Sequence, residues 1–191
     1  TEKELFIMNQ HDMTRNMVLA ALFAALTAIG AFLQIPTGTV PITLQFLFTA
    51  LAGLLLGWKW GAISQLLYVG IGLLGLPVFT QGGGIGYVLQ PSFGFLLGLI
   101  PAAAVIGALT ARRTGYLTVL AAVLVGDLIL YAVGVPYMYL ILHVYMQSAK
   151  TFPALLAAML VYVPGDTLKI IVVTALAPVL RRTLAKAVPN L

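Results

Sequence analysis

The sequence predicts an all-α polytopic membrane protein: six transmembrane helices in one bundle, with both termini on the inner side. Three observations carry this. First, 61% of the 191 residues are hydrophobic and only 8% are charged, against roughly 25% charged in an ordinary soluble domain. The mean hydropathy is +1.06. Second, no Asp, Glu, Lys or Arg stands between Arg15 and Lys59, or between Lys59 and Arg112. A spanning helix needs about 20 apolar residues, so each run holds two helices and a connection. Third, the basic residues segregate to one side once the spans are counted. So few charges cannot cover a soluble protein of this size. A water-soluble enzyme, a nucleic-acid binder and a disordered chain are thereby excluded. The net charge of +5 suits the acidic inner face of a membrane, because the basic residues are scattered rather than clustered. The chain has no Cys, which rules out disulfides, a thiol nucleophile and a thiolate metal site.

Residues 1–14 are expected as a polar leader, partly non-native, since Met13 is a natural start. The apolar stretch that follows is too long for a signal-peptide core. Residues 15–191 are expected as one six-helix domain, with no strong internal repeat. Pro36-Thr37-Gly38-Thr39-Val40-Pro41 splits the first charge-free run. Gly75-Leu76-Pro77 and Gln81-Gly82-Gly83-Gly84 split the second. The spans then fall at 16–34, 42–57, 60–75, 93–111, Tyr116–Gly134 and Phe152–Leu180. The second and third are short, which suits tilt or partial burial. The segment Val135–Lys150 is Tyr-rich, as expected at a membrane interface.

With the N-terminus inside, the inner segments hold Lys3, Arg15, Lys59, Arg112, Arg113, Arg181, Arg182 and Lys186, and the outer ones only Lys150. That asymmetry predicts cytoplasmic termini. Trp58 and Trp60 flank Lys59 as inner anchors. The loops 35–43 and 76–92 then face outward.

Three charges lie inside spans: Asp127, Asp166 and Lys169. Such charges are costly in lipid, and their default reading is a functional site facing the bundle interior. Asp166 and Lys169 are three residues apart and share a helix face, with Tyr162 four residues before the Asp. Pro164 is expected to kink this helix and open room beside the carboxylate. The plain alternative is an ion pair that satisfies only itself. Asp127 has no charged neighbour in sequence and reads as a structural polar group.

The loop from Thr80 to Ser92 is the second unusual feature. Gly82, Gly83, Gly84 and Gly86 let backbone approach a ligand closely. Tyr87 offers an aromatic face with a polar tip, and Gln81 and Gln90 offer donors and acceptors. No Walker Lys-Ser or Lys-Thr follows. Gln45 is a third polar group at similar depth, suited to a ligand or to an interhelical hydrogen bond. Ala20, Ala24 and Ala28, with Ala21 and Ala25 beside them, form a stripe for close helix packing, inside the bundle or against another membrane protein.

Together these residues resemble the BioY family, the biotin-specific S components of energy-coupling factor (ECF) transporters. The resemblance runs from about Arg15 to Ala185. It rests on Val40-Pro41-Ile42-Thr43-Leu44-Gln45, Gly75-Leu76-Pro77-Val78-Phe79 and the glycine loop leading into Gln90-Pro91-Ser92-Phe93-Gly94-Phe95. Further along come Tyr131-Ala132-Val133-Gly134-Val135-Pro136 and Pro164-Gly165-Asp166-Thr167-Leu168-Lys169. Two departures are Gln90-Pro91-Ser92, where Gly-Pro-Thr is expected, and Tyr137, where a Trp is usual.

The resemblance implies a high-affinity biotin-binding subunit in the cell membrane, its site towards the outer face. It implies a shared module of one transmembrane T component and two ABC-type ATPases, reached through the alanine stripe. No cofactor, metal or catalytic residue is implied. Biotin has two ureido N–H donors, a ureido carbonyl, an apolar thioether ring and a carboxylate tail. Asp166 can accept a ureido N–H. Lys169 can donate to the ureido carbonyl or pair with the tail. Tyr87 and Phe79 would pack the rings; Gln45, Gln90, Tyr162 and Gly84 complete the expected set. Two competing readings are an intramembrane protease using Asp127 and Asp166 and an autonomous channel. Lys169 beside Asp166 argues against the protease. A rhomboid-like enzyme is weaker still, since Ser92 lacks the right glycine context and His143 lies in another segment.

Overall fold

The computed structural model describes residues 2–37, 40–112 and 115–187, with side chains over 13–37, 40–112 and 115–183. Gly38 and Thr39 of the first loop and Arg113 of the basic set lie outside the described residues, as do the side chains of Lys3 and Lys186.

The first helix, α1 (Glu2–Phe32), is helical from Glu2, so its backbone runs on through the segment expected as a leader. A loop follows in which β1 (Gln34–Ile35) pairs antiparallel with β2 (Ile42–Thr43), Gln34 opposite Thr43. Next comes α2 (Gln45–Leu73), broken at Gly57, whose φ of 77° and ψ of 179° are not helical. Only glycine adopts such a backbone at little cost. In a straight helix Gln45 and Tyr68 would stand about 34 Å apart. Instead Gln45 Nε2 donates to Tyr68 Oη at 2.9 Å, and Thr49 Oγ1 to Gln65 Oε1 at 2.9 Å. The chain therefore doubles back, and arms 45–56 and 58–73 are the second and third helices that the sequence predicts. They are about 18 and 24 Å long at the usual rise, short as expected. Gly53 meets Gly61 at the crossing, where a Cβ on Gly61 would lie 2.7 Å from the Gly53 Cα.

The remaining helices are α3 (Phe93–Thr110), α4 (Tyr116–Leu140), α5 (Phe152–Ala158) and α6 (Val163–Ala187). Two boundaries correct the sequence expectation. The fifth span does not stop at Gly134, because α4 runs through Pro136 to Leu140 and on into a π-turn, Ile141–Tyr145. Proline is tolerated within membrane helices, and Phe95 packs against this stretch where Gly134 has no side chain. Nor is Phe152–Leu180 one span. A short helix and a 3₁₀ turn, Met159–Val161, precede α6. Pro164 lies in the first turn of α6, where its missing N–H costs nothing. It starts a helix rather than kinking one.

The core is a continuous set of buried side chains from all the long helices, including Phe23, Phe46, Tyr68, Leu99, Ile106, Val123 and Val173. The outer surface is just as apolar: Leu117, Leu128 and Leu168 are 77%, 68% and 63% exposed. Among the described residues, five helices are long and apolar enough to cross a membrane, the doubled α2 being one of them. This is a multi-pass membrane protein.

The two ends of the bundle differ. One carries the Gly57 reversal, Lys59 and Arg112. There Arg181 donates to the carbonyls of Leu54 at 2.7 Å and Thr110 at 3.4 Å, satisfying groups that helix ends leave open. The other end gathers loop residues 33–37 and 40–44 with loops 74–92 and 146–151. Close glycine contacts hold the middle together, and a Cβ at Gly53 would collide with the Ala103 carbonyl. Gly53→Ala is therefore expected to cost about 1–3 kcal/mol by overpacking. That lowers the unfolding temperature in detergent by roughly 3–10 °C. Gly70→Ala, at a position open to within 4 Å, is the control and should leave it unchanged.

Candidate ligand-binding site

The site is built on the start of α6. The Asp166 amide donates to the Tyr162 carbonyl at 3.0 Å, which places the carboxylate in the first helical turn. The aligned N–H groups there favour a negative charge. Lys169 follows one turn on. Both side chains are buried, at 6% and 7% exposure, and their ion pair is 2.5 Å long. Two further bonds complete it. Tyr131 Oη on α4 donates to the second Asp166 oxygen, and Lys169 Nζ donates to the Thr43 carbonyl on β2 at 3.2 Å. Gly165 leaves room for the strand, since a Cβ there would press on Ile42 at 3.3 Å.

A second chain of hydrogen bonds leads from β2 into the long loop. Thr43 Oγ1 donates to Gln45 Oε1 at 2.9 Å. Gln45 Nε2 donates to Tyr68, and Tyr68 donates to the Val78 carbonyl at 3.1 Å. Phe79 then turns back on Gly82 through paired backbone bonds of 2.9 and 3.3 Å. Its ring is 1% exposed and fills the slot where Gly72 has no side chain. It packs edge-to-face against Tyr68 and tilted against Tyr87, at centroid distances of 5.5 and 4.6 Å. Gly82 and Gly84, at φ 110° and 100°, allow the turn into the 3₁₀ segment Ile85–Leu89. Tyr87 Oη meets Thr80 Oγ1 at 2.8 Å and Ser92 Oγ at 3.4 Å.

One cavity brings five of the expected residues together: Asp166, Lys169, Tyr87, Gln45 and Tyr162. Its apolar walls include Phe46, Phe95, Leu96, Leu99, Leu130 and Met159, and its empty space is about 620 Å³, mouth included. Phe79, Gly84 and Gln90 do not line it. Phe79 sits behind Tyr68 and Tyr87. Gly84 precedes the 3₁₀ turn, and Gln90 closes it with its amide on the Tyr87 carbonyl at 2.9 Å.

Tyr131 and Thr43 are the residues that sequence reasoning left out of the site. Tyr131 stands in a motif already singled out and lies one turn after Asp127, so its helix face was readable. Thr43 acts through a backbone carbonyl, which no side-chain pattern signals. Asp127 is not part of the ion-pair cluster, and one of its oxygens is buried without a partner among the described residues. Both Asp166 oxygens are taken by Lys169 and Tyr131, so the structure does not form the aspartate dyad that a protease needs. Of the alanine stripe, Ala20 and Ala24 are turned into the bundle, Ala28 is half-buried, and Ala21 and Ala25 face outward. No group of three potential His, Cys, Asp or Glu metal ligands occurs among the described residues.

The arrangement sets a fixed acceptor and a fixed donor side by side at the end of an apolar slot. It suits a small molecule that presents an N–H and a carbonyl on one edge and an apolar body behind them.

Comparison with known proteins identifies the family. The family model described as the BioY family matches residues 3–186. A probable biotin transporter BioY of Lysinibacillus sphaericus is 52% identical over 147 residues, covering 76% of this chain and 75% of the relative. The biotin transporter BioY of Rhodobacter capsulatus is 39% identical over 188 residues, covering 93% and 97%. The crystal structure of the S-component for biotin from an ECF-type ABC transporter superposes with a TM-score of 0.79 at 30% identity, covering 90% of this chain and 93% of that one. The chain belongs to the BioY family.

Proposed function

We propose that this chain is a biotin-binding S component that serves biotin uptake through an ECF-type transporter. The observation that carries the reading is the buried Asp166–Lys169 pair, held by Tyr131 and Thr43 at the wall of an apolar cavity. Asp166 accepts a ureido N–H, using a lone pair left free by Tyr131 and Lys169; a carboxylate has about four such sites. Lys169, fixed beside it, donates to the ureido carbonyl. The thioether ring packs against Phe95, Leu96, Leu99 and Tyr87, and Gln45 orders β2 through Thr43. Because the polar groups are already in place, binding costs little reorganisation.

The chain carries no Walker sequence, which fits a protein that borrows its energy from a T component and two ABC-type ATPases. The outward small positions Ala21 and Ala25 on α1, beside half-buried Ala28, suit close docking of a membrane helix. Eight basic residues against one favour cytoplasmic termini and a cell-membrane location. The ligand cavity, at the end opposite Lys59 and Arg181, then opens outward.

Three outcomes follow for calorimetry on the purified protein in detergent. Wild type binds about one biotin per chain. Asp166→Asn weakens binding by roughly 10- to 150-fold, since a hydrogen bond to a charged group is worth about 1.5–3 kcal/mol. A biotin analogue lacking the ureido group loses at least as much, while desthiobiotin, which keeps it, stays within about tenfold. Equal binding of the ureido-lacking analogue would rule out Asp166 as the recognition group. Separately, Tyr131→Phe removes one hydrogen bond to Asp166 and should weaken biotin about three- to tenfold at unchanged stoichiometry.

A further inference from the structure

Beside the ligand cavity lies a second one, with about 720 Å³ of empty space, mouth included. Met159 and Tyr162 line both and form the partition between them. Tyr162 is held in place through its hydroxyl, which meets Thr37 Oγ1 at 2.9 Å and donates to the Val40 carbonyl. The far wall of the second cavity includes Ala154 and Ala158, and Lys150 is its one charged lining residue. Lys150 is exposed and has no carboxylate partner among the described residues. Lys169, which lines the ligand cavity, is already paired with Asp166.

An apolar chamber with a single unneutralised cation matches an aliphatic chain ending in a carboxylate. We infer that this second cavity is an antechamber that captures the ligand by its aliphatic carboxylate, with Lys150 supplying the charge, before the ring system passes the Tyr162–Met159 partition. The inference rests on the biotin reading above and adds a site that the Asp166 cluster does not require. A charge acting at such a rim governs association and its salt dependence, and leaves dissociation unchanged.

Stopped-flow fluorescence with biotin and its uncharged methyl ester, at low and high ionic strength, separates these effects. Lys150→Gln is expected to slow biotin association roughly three- to fivefold at low salt, the size of one unit-charge interaction in water. It should also abolish the salt dependence and leave ester association and biotin dissociation unchanged. Ala158→Phe, which fills the chamber, should slow both ligands. Unchanged biotin association in Lys150→Gln, or equal slowing of biotin and ester, overturns the antechamber while the biotin reading stands. Failure of folded wild type to bind biotin at all overturns the biotin reading itself.

Discussion

A carboxylate and an ammonium buried within a membrane bundle set the terms for the rest of this structure. Asp166 and Lys169 cannot rely on water, and removing one partner of such a pair costs about 3–5 kcal/mol. Each therefore needs a full set of bonds from elements far away in sequence. Tyr131 comes from α4 and the Thr43 carbonyl from β2. The small β1–β2 hairpin is the only regular strand pair among the described residues, and holding Thr43 against Lys169 explains its presence. The glycine at 165 lets that strand approach, and the proline at 164 sets where α6 begins.

A neutral polar chain complements the charged pair. From Thr43 it passes through Gln45 and Tyr68 to the Val78 carbonyl, where the long loop begins. Phe79 then locks the loop by filling the space at Gly72. The cavity walls thus depend on two different anchors, a charge cluster at α6 and an aromatic wedge at α2. Thr43 joins them, with its carbonyl on Lys169 and its hydroxyl on Gln45, while Tyr87 extends the wedge with its ring on Phe79 and its hydroxyl on Thr80 and Ser92. The same end of the molecule holds the antechamber, so Tyr162 touches both the route in and the wall of the site.

Much of this was legible in the sequence, for physical reasons. Charge-free runs between Arg15, Lys59 and Arg112 can only be buried in lipid or protein, so the helix count was readable. The three-residue spacing of Asp166 and Lys169 puts them on one helix face. Other features were not readable. Gly57 lies beside Trp58 and Lys59 without the proline or glycine pairs that mark turns, so the sharpness of the reversal was hidden. Pro164 and Pro136 both read as breaks, yet one begins a helix and the other sits inside one. That difference depends on tertiary neighbours such as Phe95. Phe79 is expected as a ring-packing wall because it is aromatic, but the gap at Gly72 draws it into the core. Gln90 looked like a ligand donor because of its amide, whereas its backbone ends a 3₁₀ turn. Tyr131 and Thr43 entered through packing of α4 and β2 on α6, which local spacing does not encode.

The central claim is that the charged pair reads the ureido edge of biotin, with Lys169 on its carbonyl. Isotope-edited infrared spectroscopy of biotin labelled at the ureido carbonyl reports on that contact directly. A charge-assisted bond from a buried ammonium is stronger than one from water. The carbonyl stretch of bound biotin should therefore fall below its value in free aqueous biotin. A stretch at or above the free value would mean that the carbonyl is not on Lys169, and that the pair recognises some other part of the ligand.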